Sequence, residues 1–258
     1  TMALVQRLVK QGFRVGVVSR GYGRAQTSLQ IVNAHSLASE VGDEPLMIFQ
    51  KCNVPVVVGA QRVAAARQLL NQFPAVNVLV CDDGLQHIAL QRDIEICVMD
   101  ATGLGNGHLL PAGPLREPWP RQVDLLLHTH QRTLPEGFES LRELSSFALT
   151  SDGQQVPIAE LKLNPVEVVS GIAKPEAFLA MLAQGQFQIR HSTALPDHDH
   201  FQTWQPSHPE LPLLCTEKDA VKLWARFPQA LAMPLVFEPE PSFWKAFDQL
   251  FQSRHRYH

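Results

Sequence analysis

A chain of 258 residues that is 45% hydrophobic and 18% charged has enough apolar material for one large core or two modest ones, which excludes a disordered chain. A net charge of −3 gives no overall basic field and no Lys/Arg run stands out, so no nucleic-acid partner is expected. Cys52, Cys81, Cys97 and Cys215 are widely spaced and mostly sit in apolar runs, as thiols of a reducing, cytoplasmic compartment do.

The first predicted element is a helix over 3–11, with Leu4, Val5, Leu8 and Val9 on one face and Gly12 as its stop. No signal peptide, capping loop or strand is read ahead of it in these residues, so the chain is expected to start inside a structural unit. The run 13–18 then reads as a buried strand, followed by a glycine-containing loop at 20–24 and a β-branched run at 54–58. A helix is predicted over 61–72. Three further apolar runs follow at 76–80, 94–99 and 123–127, the first two ending at Asp82 and Asp100. Strands alternating with helices predict an open, mostly parallel α/β sheet covered on both faces, whose ligands bind at the carboxyl ends of its strands.

Between 147 and 161 two short extended stretches flank the turn signal Ser151-Asp152-Gly153, which predicts a hairpin between domains. A second α/β series is predicted beyond it: strand 166–170, helix 175–183, strands 187–192 and 213–215, helix 217–224, strand 231–237 and helix 243–251. The expected division is an N-terminal domain over 1–146, a two-stranded linker over 147–162 and a smaller C-terminal α/β domain over 163–258. No apolar stretch approaches the ~20 residues that span a bilayer, so membrane contact is expected to be peripheral.

Chemistry is expected in the loops that combine acids with glycine: Gly42-Asp43-Glu44-Pro45, Asp82-Asp83-Gly84, and the long loop 103–118 with Arg116 and Glu117. Acids at a strand end suit Mg²⁺ beside phosphates, because this hard cation takes oxygen ligands and needs only one or two carboxylates. A solvated turn is the plainer alternative for any one pair. Asp197-His198-Asp199-His200 lacks the Cys or third His of a zinc site and reads as a surface loop or an acid/base histidine. Arg254, His255 and Arg256 read as a solvated helix end. Phe178, Leu179, Leu182 and Cys215 read as core.

The strings VVSRGYGR from Val17, GDEP from Gly42, DDGLQH from Asp82, GNGHLLPAGPLREP from Gly105, GIAKPEAF from Gly171, LPDHDHF from Leu195 and TEKDAVKL from Thr216 resemble, in that order, the tetraacyldisaccharide 4'-kinases. The resemblance covers nearly the whole chain. It implies a P-loop NTPase-like fold with a smaller C-terminal α/β domain joined by a two-stranded linker, and transfer of the ATP γ-phosphoryl to the 4'-hydroxyl of a tetraacylated glucosamine disaccharide 1-phosphate, giving lipid IVA. It further implies ATP and Mg²⁺ as cofactors and a monomer bound peripherally to the cytoplasmic face of the Gram-negative inner membrane.

Carried onto this chain, the resemblance makes Asp43 the catalytic base and His198 its partner. Asp82, Asp83 and Glu117 become metal-associated acids, and Ser19, Arg20, Tyr22, Glu44 and Arg116 become substrate or phosphate contacts. The family's Walker-type loop, glycines followed by Lys and Thr, does not occur in these residues. Without it the polypeptide is expected to bind ATP weakly and to be inactive or nearly so. A noncatalytic lipid-binding relative and a metal-dependent hydrolase are the alternatives.

Overall fold

The computed structural model describes residues 1–24, 27–129 and 131–255, with the side chain of residue 255 left out. In chain order its elements are α1 (Met2–Lys10), β1 (Val15–Ser19), β2 (Gln30–Ile31), α2 (Ala38–Val41), α3 (Asp43–Cys52), β3 (Val56–Val58), α4 (Arg62–Gln72), β4 (Val78–Cys81), β5 (Ile96–Met99) and β6 (Leu125–His128). They continue with β7 (Ser140–Leu144), β8 (Phe147–Leu149), β9 (Gln155–Pro157), α5 (Ile158–Leu161), β10 (Val166–Ser170), α6 (Pro175–Gln184), β11 (Ile189–Ala194), β12 (Leu213–Thr216), α7 (Glu217–Leu223), β13 (Leu231–Met233), β14 (Leu235–Pro239) and α8 (Pro241–His255). The fold is α/β with parallel sheets, as the alternating pattern predicts. Two compact units emerge, one made of 1–82 with 143–235, the other of 83–142 with 236–258.

The first unit holds two sheets. One has the order β2-β3-β1-β4, with β3, β1 and β4 parallel and β2 antiparallel at its edge. Every residue of β1 and β3 is buried, which is why both read as continuous apolar runs rather than alternating ones. A fully buried valine in such a strand contributes about 1.5–3 kcal/mol. Gly16 lets α4 come close: a Cβ there would stand 2.6 Å from a Leu69 methyl. The second sheet has the order β11-β10-β12-β13-β8-β9. Its four β10–β13 strands are parallel, and the hairpin read at 147–161 supplies β8 and β9 as its antiparallel edge. Phe178 and Leu182 of α6 pack with Val166, Val168 and Leu214 in its core, and Leu179 packs against them. Cys215 is fully buried, and burial pushes its thiol well above the ordinary range.

The second unit contains the parallel pair β5-β6 and the helix α8, whose Phe243 meets Phe138 edge-on. Two readings change here. The apolar run 231–237 is two strands, not one, because Pro234 has no N–H to continue a ladder; β14 pairs with β7, a strand the sequence reading did not foresee. Arg254 is not simply a solvated helix end: its guanidinium donates to both oxygens of Asp124, at 3.0 and 2.5 Å, and holds that carboxyl below its usual range. Arg256 lies outside the described residues.

Candidate active site

The expected GDEP loop is the start of a helix. Gly42, at φ +94°, turns the chain, and Asp43 and Glu44 occupy the first turn of α3. Pro45 is tolerated there because the N–H groups of a first turn have no partner within the helix. Carboxylates in that turn gain about 0.3–1 kcal/mol from the helix dipole. A side chain at Gly42 would meet the Gly21 backbone at 3.0 Å, so the two glycine loops are close-packed.

Asp43 is 4% exposed, and one of its oxygens receives two donors. His198 Nδ1 lies 3.0 Å from Oδ2, and Lys222 Nζ lies 3.0 Å from the same atom. Among the described residues Oδ1 has no donor. The histidine comes from the loop after β11, 155 residues away in sequence, and the lysine from α7. His198 has φ +63°, a conformation that costs a non-glycine residue about 1–2 kcal/mol, and its N–H is held by the carbonyl of Gly171 at 3.0 Å. The ring of Tyr22, itself largely exposed, stands 5.2 Å from the imidazole.

Two lysines of α7 serve this cluster. Lys222 also approaches Asp219 at 3.8 Å, and Lys218 Nζ stands 3.5 Å from His198 Nε2, 3.2 Å from Asp197 and 3.8 Å from Glu44. Asp219 is fully buried and accepts from the Gly171 N–H and the Thr216 hydroxyl; burial nevertheless raises its carboxyl above the ordinary value. Glu44 is likewise raised, first by burial and then by Asp82, with Lys218 and His198 opposing. Removing one partner of a buried pair such as Asp43–Lys222 typically costs about 3–5 kcal/mol, because the other charge is left uncompensated.

Asp82 follows β4 directly and faces Ser19, the last residue of β1. Its carboxylate accepts from the Ser19 hydroxyl at 3.1 Å and from the Thr1 hydroxyl at 2.5 Å. Ser19 is 4% exposed, and Arg20 is exposed. Among the described residues of the first unit, then, Ser19, Tyr22, Asp43, Glu44, Asp82 and His198 lie at the carboxyl ends of strands or at the first turn of a helix.

Asp83, Arg116 and Glu117 belong to the second unit. Arg116 Nη1 donates to both oxygens of Asp83, at 2.7 and 2.8 Å, and both side chains are more than half exposed. Glu117 accepts from Gln86 at 3.0 Å and from Arg121 at 2.5 Å, and Arg121 in turn holds Glu95. No group of three or more His, Cys, Asp and Glu side chains suited to a metal occurs among the described residues. Lys218 and Lys222 are the site residues the sequence reading missed. They are spaced i,i+4 on a short helix capped by Thr216, which puts them on one face without showing that the face is buried.

The profile of the tetraacyldisaccharide-1-P 4'-kinases matches residues 1–254. The chain belongs to that family. A tetraacyldisaccharide 4'-kinase of Acidovorax sp. (strain JS42) is 49% identical over 254 residues, covering 96% of this chain and 74% of that protein. The kinase of Delftia acidovorans is 44% identical, covering 99% and 77%. The chain thus spans about three quarters of the length of these two 4'-kinases. Among solved structures, the crystal structure of "apo" form LpxK from Aquifex aeolicus in complex with ATP superposes with a TM-score of 0.81 at 28% identity, covering 97% of this chain and 84% of that one. Members of this 4'-kinase family are phosphotransferases, and the fold described above is theirs.

Proposed function

We infer that this chain carries the phosphoryl-transfer machinery of a tetraacyldisaccharide 4'-kinase, and that Asp43 is its base. The observation that carries the reading is the one-sided engagement of the Asp43 carboxylate: His198 and Lys222 hold Oδ2, and Oδ1 is left to take a proton. In this reading Oδ1 accepts the proton of the sugar 4'-hydroxyl as its oxygen bonds to the γ-phosphorus of ATP and the bond to the β-phosphate oxygen breaks. His198 orients the carboxylate. Phosphoryl transfer rests on positioning and charge stabilisation, which is what such an assembly provides.

Asp82 in the first unit, and Asp83 and Glu117 in the second, are each proposed as acids that serve Mg²⁺, which when bound would neutralise phosphate charge. The Asp82 carboxylate beside the Ser19 hydroxyl is an all-oxygen donor set, and a cation that keeps its waters and phosphate oxygens asks little more of the protein. Arg116, Arg20, Ser19, Tyr22 and Glu44 are assigned to phosphates or sugar. The four-stranded sheet belongs to the kinase domain expected over 1–146, and β8 and β9 to the linker expected over 147–162. The strands β10 to β13 belong to the domain expected over 163–258. No described helix is long and apolar enough to cross a membrane. The proposed setting is the cytoplasmic face of the inner membrane, with the chain acting as a monomer.

The test is transfer of labelled γ-phosphate from Mg·ATP to tetraacyldisaccharide 1-phosphate, by a protein in which a glycine-rich Lys-Thr loop precedes Thr1 and by the 258-residue chain in parallel. Robust transfer by the first and little by the second is expected, because that loop holds the β- and γ-phosphates. Lipid binding by both with transfer by neither would replace this reading with a noncatalytic relative.

A further inference from the structure

Helix α7 lies outside the base-and-histidine pair, yet it brings a lysine to the carboxylate at the centre of that pair. Lys222 is 8% exposed as a residue and its side chain 4%, so its ammonium has little water to solvate it. Its nearest charged neighbours are the two buried carboxylates, Asp43 Oδ2 at 3.0 Å and Asp219 Oδ1 at 3.8 Å, and the ring of Phe201 lies 5.4 Å from Nζ. A buried ammonium is retained only where charges or hydrogen bonds compensate it. Asp219 has a second task as well: through the Gly171 N–H it holds the residue whose own carbonyl accepts from the His198 backbone N–H. One turn of α7 therefore touches both members of the pair, His198 by way of Gly171 and Asp43 by way of Lys222.

We propose that Lys222 is a positioning residue for the transfer reaction: its ammonium fixes Asp43 Oδ2, so that Oδ1 faces the hydroxyl. The proposal rests on the reading of Asp43 as the base. It assigns to Lys222 no contact with substrate. Histidine supplies one contact to Oδ2, and the lysine supplies a second, with a side chain of opposite formal charge, inside the same buried cluster.

The charged groups facing Asp43 are known from each element around it: Glu44 beside it on α3, His198 from the loop after β11, and Lys218, Asp219 and Lys222 on α7, with Asp82 at the end of β4 acting on Glu44. Among the described residues, only Lys222 brings an ammonium within 3.0 Å of Asp43.

The experiment uses the loop-bearing protein and three variants, Lys222→Met, Lys222→Arg and Lys222→Met with Asp43→Asn. Lys222→Met keeps the volume and removes the charge. It should lower kcat by about 10²-fold, as misplacement of a reacting group does, with KM for ATP unchanged, and Lys222→Arg should recover most of kcat. A purely structural lysine would leave kcat per folded molecule unchanged in Lys222→Met, and that result overturns the proposal. The second measurement is thermal unfolding of the 258-residue chain. Lys222→Met should lower Tm, and adding Asp43→Asn should recover part of the loss, because the orphaned charge is gone. Additive losses would also overturn the proposal. Since unfolding needs no turnover, the ion pair is judged even if the loop-bearing protein transfers no phosphate, an outcome that would refute only the reading of Asp43 as base.

Discussion

Asp43 and Asp83 are both carboxylates joined to a cation, yet Asp43 and its Lys222 are 4% exposed while Asp83 and its Arg116 are each more than half exposed. The difference is in what each pair can do. Water screens the Asp83–Arg116 pair, so it contributes about 0–1 kcal/mol and its partners can separate to meet a ligand. The Asp43 cluster is sealed by α3, α7 and the loop of His198, so its charges are fixed in place and depend on one another. A proton acceptor belongs in the second environment, and a contact that must release and regrip phosphate or metal belongs in the first.

Substitutions at the two pairs should therefore differ by orders of magnitude. Asp43→Ala in the loop-bearing kinase is expected to lower kcat by about 10²–10⁴, the usual contribution of a general base, with a much smaller effect on KM; single-turnover transfer checks this. A fall under tenfold would remove the contrast. Next in size is Gly42→Ala, which forces a side chain into a φ of +94° and against the Gly21 backbone. Chemical denaturation of the 258-residue chain should show a loss of at least about 1–2 kcal/mol.

Glu44, next to Asp43 in the chain but with a side chain 55% exposed, sharpens the comparison by pH. Its carboxyl is raised above its ordinary 4.5, by burial first and then by Asp82, so the folded state favours the protonated form. That contribution to stability is complete below the ordinary value and is lost as pH rises through the raised one. Wild type should therefore lose Tm relative to Glu44→Gln between acid and neutral pH, and a gap that is constant with pH would contradict it. Smallest of all, Arg116→Ala should change stability by no more than about 1 kcal/mol, measured in urea. A larger cost would mean that the exposed loop is as tightly built as the buried cluster.

Much of this was legible in the residues. Strand β10 falls where its pattern of Val166, Val168 and Val169 places it, and the Ser151-Asp152-Gly153 signal marks the hairpin of β8 and β9. The start of α3 was not legible as helix, since Gly-Asp-Glu-Pro has the composition of a turn; only the acids and proline in a first turn, followed by Leu46 and Ile48, reveal it. The spatial approach of His198 to Asp43 across 155 residues has no local signature, and the family resemblance alone suggested it. Lys222 escaped for a related reason: a lysine on a short charged helix reads as solvated, and its burial is decided by the packing of α7 against α3.

The account stands on Asp43 and His198 acting as one unit, and a double-mutant cycle on kcat measures that most directly. Asp43→Ala and His198→Ala should each be severe alone, and together little worse than Asp43→Ala, as for groups that serve a single step. Losses that multiply in full would show two independent residues and contradict the pairing.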